Sequence, residues 1–312
     1  MSLKIVCLDA ATLGGADLSE FGKFGEFISY DLTPKEKVIE RLQGASVAMT
    51  NKVVIDEKVL DSTNLKLILE TATGTNNIAV EYAQSKGVVV KNVAGYSTAS
   101  VTQHTFALLF AFLNELIYYD EFTKRGKWCE SLIFTDFSRT LYNLSGKKYG
   151  IIGLGAIGKE VAKVARAFGA EVFYTSTSGA NNNAEFTRLN LDELLSTCDF
   201  ISIHAPLNDK TKNLITQREM ALLKDGAILI NVGRGGIVNE SDLAQMLDKK
   251  HFRVALDVLE SEPMRGNHPL LHIKNKQNLI ITPHIAFASK ESMQTLVQMV
   301  LENLKEWSEN GK

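Results

Sequence analysis

Short β-branched runs recur along the chain, separated by stretches with helical periodicity. They read LKIVCLDA, SVAMTN, LKLILETAT and VVVKNV in the first hundred residues, then KYGIIGL, EVFYTS, FISIHA, AILINV, FRVALDV and NLIITP. Strands apolar along their whole length have no face for water, so they predict parallel sheets covered on both sides by helices: an α/β protein. Helix-start signals fall in the gaps, with Thr33 and Pro34 ahead of KEKVIERL and Asn239 ahead of ESDLAQML. Ser97 to Lys127 is helical by pattern and is expected to bridge two lobes. After the last strand, Leu296, Val300 and Leu304 repeat at i, i+4, i+8, the mark of an amphipathic helix returning to the first lobe. The segmentation predicts an inserted domain, 99–288, within a discontinuous domain made of 1–98 and 289–312.

At 312 residues the chain can build two cores, and 45% apolar with 22% charged residues is a globular composition. A net charge of −2 steers it toward neither nucleic acid nor an anionic membrane and leaves a small metabolite as the default partner. The apolar run from Thr105 to Leu113 stops at Asn114 and Glu115, well short of the roughly 20 residues that span a bilayer. The start, MSLKIVCLDA, lacks the features of a signal peptide. Cys7, Cys129 and Cys198 are odd in number and far apart, which argues against disulfides and a metal site. They are expected to be small buried hydrophobes in a reducing compartment, the cytoplasm.

The sharpest motif is GLGAIG. An apolar strand ends at Ile152, glycines stand at 153, 155 and 158, and a helix is expected from Ala156 to about Phe168. Gly153 permits a tight turn, Gly155 lets a phosphate reach the backbone, and Gly158 lets helix and strand pack closely. The helix start then offers N–H groups and a positive dipole end to the pyrophosphate of a dinucleotide. No GK[ST] follows, which excludes the usual nucleoside-triphosphate loop.

In an open parallel sheet, residues after the carboxyl ends of strands face the ligand. Arg234 follows AILINV, Asp257 and Glu262 follow FRVAL, and His284 follows NLIITP. Reducing a 2-oxo acid requires a cation for its carboxylate and carbonyl, a proton donor for the developing alkoxide, and a carboxylate behind that donor. Arg234 suits the first through its planar fork, His284 the second because histidine titrates near neutral pH, and Glu262 the third.

These motifs, with CDFISIHAPLNDKTKNLIT, LKDGAILINVGRGGIVNESDL, ALDVLESEP and ITPHIA, resemble those of the D-isomer-specific 2-hydroxyacid dehydrogenases nearly end to end. The resemblance implies a Rossmann dinucleotide domain inserted in a flavodoxin-like substrate domain, both doubly wound, with the active site in the cleft and a homodimeric assembly. It implies Arg234, Glu262 and His284 as the catalytic set. NAD would contact Gly153, Gly155, Ala156, Ile157, Gly158, Ser176, His204, Pro206, Val232, Gly233, Asp257 and Ala286, with Asp257 on the nicotinamide carboxamide. Thr73 and Gly74, in TATGTNN, match the loop whose N–H groups hold the substrate carboxylate; Ala79 stands where the family often has Asp. TNKVVID and VKNVAGYST look most like glycerate dehydrogenases, also called hydroxypyruvate reductases. Rival readings are an NAD(H)-sensing binding protein of the same fold, a dehydrogenase for another 2-oxo acid such as pyruvate, and a formate or phosphite dehydrogenase. Formate dehydrogenases carry Gln where Glu262 stands.

One position departs from expectation. The family pattern puts an acidic residue at Ser176, where it would hold the adenine ribose, and no Arg or Lys occurs between Glu171 and Arg188. Neither an acid that rejects NADP nor a local cation that recruits it is present, so NAD with tolerance for NADP is expected. His104 is expected to pack or cap, and Trp128 to line the cleft or the core.

Overall fold

The computed structural model describes residues 3–310. Two compact units emerge: one runs up to Ser97 and resumes at Ala288, and the other is Thr98–Phe287.

The first unit holds a parallel sheet of β1 (Leu3–Cys7), β2 (Gly25–Ser29), β3 (Val47–Thr50), β4 (Leu67–Glu70) and β5 (Val89–Lys91), in the order β2-β1-β3-β4-β5. Strand order reverses beside β1, the flavodoxin-type arrangement. β3 and β4 are buried along their whole length, as unbroken apolar runs require. The edge strand β2, GEFIS, has no such run and was not foreseen from the pattern. Helix Lys290–Asn310 belongs to this unit and buries Leu296, Val300 and Leu304, the stripe expected from its periodicity, together with Met293.

The second unit holds β6 (Lys148–Ile152), β7 (Glu171–Thr175), β8 (Thr187–Arg188), β9 (Phe200–Ile203), β10 (Ile228–Asn231), β11 (Arg253–Leu256) and β12 (Leu279–Ile281). The order β12-β11-β10-β9-β6-β7-β8, parallel throughout, places the reversal between β6 and β9. This is the dinucleotide-binding order with one added edge strand. Two apolar clusters cover its faces, one around Leu194, Ile201, Leu229 and Val254, the other around Phe106, Tyr149, Val161 and Ile230.

Three expectations need correction. The predicted bridge helix is two helices, Thr98–Leu113 and Leu116–Lys124. Glu115 between them is left-handed at φ 49°, held by an ion pair to Arg253 at 2.5 Å. Cys7 and Cys198 are buried, but Cys129 is exposed, because it lies in a short 3-10 turn, Lys127–Glu130, with no buried residue. Trp128, in the same turn, is 51% exposed and is not a core residue. No helix among the described residues is long and apolar enough to cross a membrane.

Candidate active site

The glycine turn behaves as its spacing demands. Gly153 sits at φ +95°, and a Cβ there would lie 2.9 Å from the backbone nitrogen of Ala205. At Gly158 a Cβ would come within 2.3 Å of the Gly153 carbonyl, so only glycine lets the helix Ala156–Ala167 start this close to β6. Around Gly155 the space is open: an added Cβ would meet nothing within 4 Å. Ala156, Ile157 and Gly158 form the first turn of that helix, whose N–H groups and dipole suit a pyrophosphate. The chain therefore fits a dinucleotide here.

A groove of about 540 Å³ runs from this turn along Gly153, Gly155, Ser176, His204, Pro206 and Lys210. Burial lowers the His204 pKa to about 3, so the ring is neutral, and its Nε2 pairs with Ser202 Oγ at 2.8 Å. Ser176 follows β7 directly. Its Oγ accepts the N–H of Asn181 at 3.2 Å, while Asn181 Nδ2 donates to the Leu154 carbonyl at 2.6 Å and ties this loop to the glycine turn. An adjoining pocket joins Ser176 and Thr177 to Arg188 and Lys210. The sequence shows no cation near Ser176, but the fold supplies two from distant positions. Neither forms an ion pair among the described residues.

The other set stands at the ends of the three adjacent strands β10, β11 and β12. After β10, Asn231 accepts the Gly233 N–H at 3.1 Å and donates to the Arg234 carbonyl at 2.9 Å, fixing the loop of Val232, Gly233 and Arg234. Arg234 Nη1 donates to the Gly233 carbonyl at 2.8 Å, and Arg234 has no carboxylate partner among the described residues. Asn231 was missed in the sequence because an amide closing an apolar strand carries no motif. Asp257, after β11, is buried and accepts from Thr282 Oγ1 at 2.5 Å and from the N–H groups of Ile285 at 3.0 Å and Ala286 at 2.9 Å. Burial alone would raise its pKa, but hydrogen bonds from His104, Thr282, Ala286 and Ile285 outweigh that and hold it below the usual carboxylate range. His104 thus packs against Asp257, with Nε2 3.4 Å from Oδ1.

The loop Asp257 holds carries His284, itself left-handed at φ 55°, a conformation uncommon without glycine. Its Nδ1 lies 2.6 Å from Glu262 Oε2, and its ring meets Phe287 edge-on at 5.5 Å. Nδ1–H donating to the carboxylate leaves Nε2 as the free ring nitrogen, the arrangement of a proton donor with a fixed tautomer. No group of three or more His, Cys, Asp or Glu side chains suited to a metal ion occurs among the described residues.

Thr73 and Gly74 belong to the first unit, in the loop after β4. The Thr73 carbonyl accepts Asn92 Nδ2 at 2.6 Å, whereas the Thr73 and Gly74 N–H groups have no acceptor among the described residues. Beneath the loop lies fully buried Glu70, whose Oε2 accepts Asn77 Nδ2 at 3.0 Å and whose Oε1 has no partner among the described residues. Burial pushes its pKa up to about 8, so it is a neutral acid at neutral pH; no sequence signal marks it.

The profile of the "D-isomer specific 2-hydroxyacid dehydrogenase, NAD binding domain" matches residues 106–286. A hydroxypyruvate reductase of Blautia hydrogenotrophica is 37% identical over 316 residues, spanning 98% of this chain and 97% of the relative. A glycerate dehydrogenase of Methylorubrum extorquens is 36% identical over 308 residues, spanning 98% of this chain and 96% of the relative. The solved D-lactate dehydrogenase of Aquifex aeolicus, complexed with NAD and lactic acid, superposes with a TM-score of 0.83 at 25% identity, covering 98% of this chain and 95% of that one. The chain belongs to the D-isomer-specific 2-hydroxyacid dehydrogenases, oxidoreductases that exchange a hydride between NAD(P)H and a 2-oxo acid.

Proposed function

We propose that this enzyme reduces hydroxypyruvate and glyoxylate to D-glycerate and glycolate, with Arg234, Glu262 and His284 as its catalytic residues. The observation that carries the residue assignment is the 2.6 Å His284–Glu262 pair at the end of the sheet where Arg234 stands without a carboxylate partner among the described residues. The nicotinamide, when bound, supplies the hydride that goes to C2 of the oxo acid. Arg234 pairs the substrate carboxylate and polarises the carbonyl. His284 gives the Nε2 proton to the carbonyl oxygen, and Glu262, held on Nδ1–H, keeps the ring turned for that transfer and stabilises its charged form; in the reverse direction His284 is the base. The N–H groups of Thr73 and Gly74, without an acceptor among the described residues, suit them to a carboxylate, and the first unit is read as the substrate domain. The hydroxypyruvate and glycerate names of near full-length relatives support the substrate class, and retention of Arg, Glu and His favours catalysis over a sensing role.

For the cofactor we propose NADH together with NADPH, the 2′-phosphate being received by Ser176, Thr177, Arg188 and Lys210, which line one pocket. A homodimer is supported by the exposed apolar stretch that includes Leu132, Phe134 at 88% and Phe137 at 83% exposure, a patch that pairing of two copies would bury. Free Cys7 and Cys198 suit a reducing cytoplasm. Purified protein should turn over hydroxypyruvate and glyoxylate faster than pyruvate with either cofactor. His284→Ala should lower turnover by about 10²-fold or more at nearly constant cofactor affinity. Unchanged turnover in that variant would remove His284 from the mechanism.

A further inference from the structure

The turn that carries Glu262 is fastened from behind by a buried pair that plays no part in the proton transfer itself. Glu240 opens the helix Glu240–Leu247, where the dipole favours a carboxylate, and is 8% exposed. Its two oxygens have different partners. Oε1 accepts the backbone N–H of Glu260 at 2.6 Å, and Oε2 lies 2.7 Å from His268 Nε2. The Leu270 N–H donates to His268 Nδ1 at 3.3 Å, so Nε2 is the ring nitrogen that donates to Glu240. Within the turn, the Leu259 N–H donates to Glu262 Oε1 at 2.9 Å, which leaves Oε2 for His284.

The loop of Arg234 is locked to the same turn. Gly235 packs so closely that a Cβ on it would fall 1.9 Å from the Leu259 carbonyl oxygen and 2.5 Å from the Glu260 nitrogen. Backbone contact at Gly235 and the Glu240 carboxylate, both on the segment that follows β10, therefore hold Leu259–Glu262 at two points. A packing role alone does not require ions, since apolar side chains of similar volume serve a buried site at least as well. What a carboxylate adds is a directed acceptor for one particular N–H.

We propose that Glu240 and His268 are positioning residues for the reaction: by holding the Glu260 N–H they set the turn at which Glu262 reaches His284 in register with Arg234. The proposal rests on the reading of His284 and Glu262 as the proton-donating pair. It predicts that Glu240 acts through Glu262, which a double-mutant cycle reads directly.

Glu240→Ala should lower kcat by about tenfold while KM for hydroxypyruvate and the NADH dissociation constant change little, as expected for a small displacement of a catalytic group. It should also move the alkaline limb of the kcat/KM pH profile for hydroxypyruvate reduction, because the proton donor loses its fixed carboxylate. Glu240→Gln, which keeps a carbonyl acceptor for Glu260, should recover most of the turnover. Introduced into Glu262→Gln, Glu240→Ala should cost nothing further. Circular dichroism confirms folding; if Glu240→Ala does not fold, His268→Leu, which removes only the donor to Oε2, carries the same cycle. Full kcat with an unmoved pH profile in the folded variant, or the same loss in the Glu262→Gln background, overturns the proposal. Full activity of Glu262→Gln by itself overturns the underlying catalytic reading, and the positioning role with it.

Discussion

Where strand order reverses in the second unit, between β6 and β9, Gly155 faces open space and the helix Ala156–Ala167 begins with N–H groups that have no acceptor among the described residues. At the matching place in the first unit, between β1 and β3, the chain supplies an anion of its own beside a pocket that Asp9, Lys52 and Val53 line. Asp9 is 3% exposed and accepts the N–H groups of Asn51 at 3.0 Å, Lys52 at 2.7 Å and Val53 at 3.2 Å. Successive N–H groups after a strand make an anion site in both units. In one it is left for a pyrophosphate, and in the other an internal carboxylate occupies it. One side chain thus decides whether a doubly wound sheet offers its switch point to a ligand or spends it on stability.

The comparison breaks first at Asp9. Asp9→Ala would leave the N–H groups of Asn51 and Lys52 without an acceptor, Val53 keeping Thr50 Oγ1, and should destabilise the first unit by about 2 kcal/mol. Urea unfolding should show this with NADH affinity unaltered; a small loss would mean that water replaces the carboxylate and that the two crevices are alike.

Glu70 sharpens the same contrast, as a buried acid with only one of its oxygens bonded among the described residues. Its folded pKa of about 8 lies above its ordinary value, so the folded chain holds a proton there that the unfolded chain has released. Its contribution is therefore whole below about pH 4.5, declines as pH rises, and is lost above about pH 8. Glu70→Gln should remove that decline, a difference on the order of 2 kcal/mol between pH 5 and pH 9 in denaturant midpoints. Parallel pH curves for the two proteins would show that the acid is not neutral in the fold.

On the cofactor side, Arg188→Ala combined with Lys210→Ala should weaken NADPH by about tenfold and leave NADH nearly unchanged, since exposed charge contacts are each worth little. Ser176→Asp should raise the NADH preference by a similar factor; an unaltered ratio in both variants would place cofactor choice elsewhere.

Much of this was legible in the sequence because local chemistry forced it. Glycine spacing dictated the β6 turn, unbroken apolar runs dictated parallel sheets, and the i, i+4, i+8 stripe dictated how the last helix buries its face. Arg234, Glu262 and His284 could be chosen because residues after strands in such a sheet face one side. Positions without a local pattern were silent. β2 and β8 have no apolar run, and Glu70, Asn231 and His268 acquire their roles only from partners elsewhere in the chain.

The region after β7 divides the two kinds of knowledge most clearly. By itself the sequence determined that a dinucleotide fold ends this strand in serine and threonine rather than an acid, because that follows from residue identity at a fixed offset. That Arg188 and Lys210 stand with Ser176 in one pocket was decided by tertiary structure. Strand β8 returns beside β7, and the loop after β9 crosses to the same end of the sheet, so charges 12 and 34 residues away in the chain become neighbours in space. Electrostatics acts over ångströms and takes no account of sequence separation.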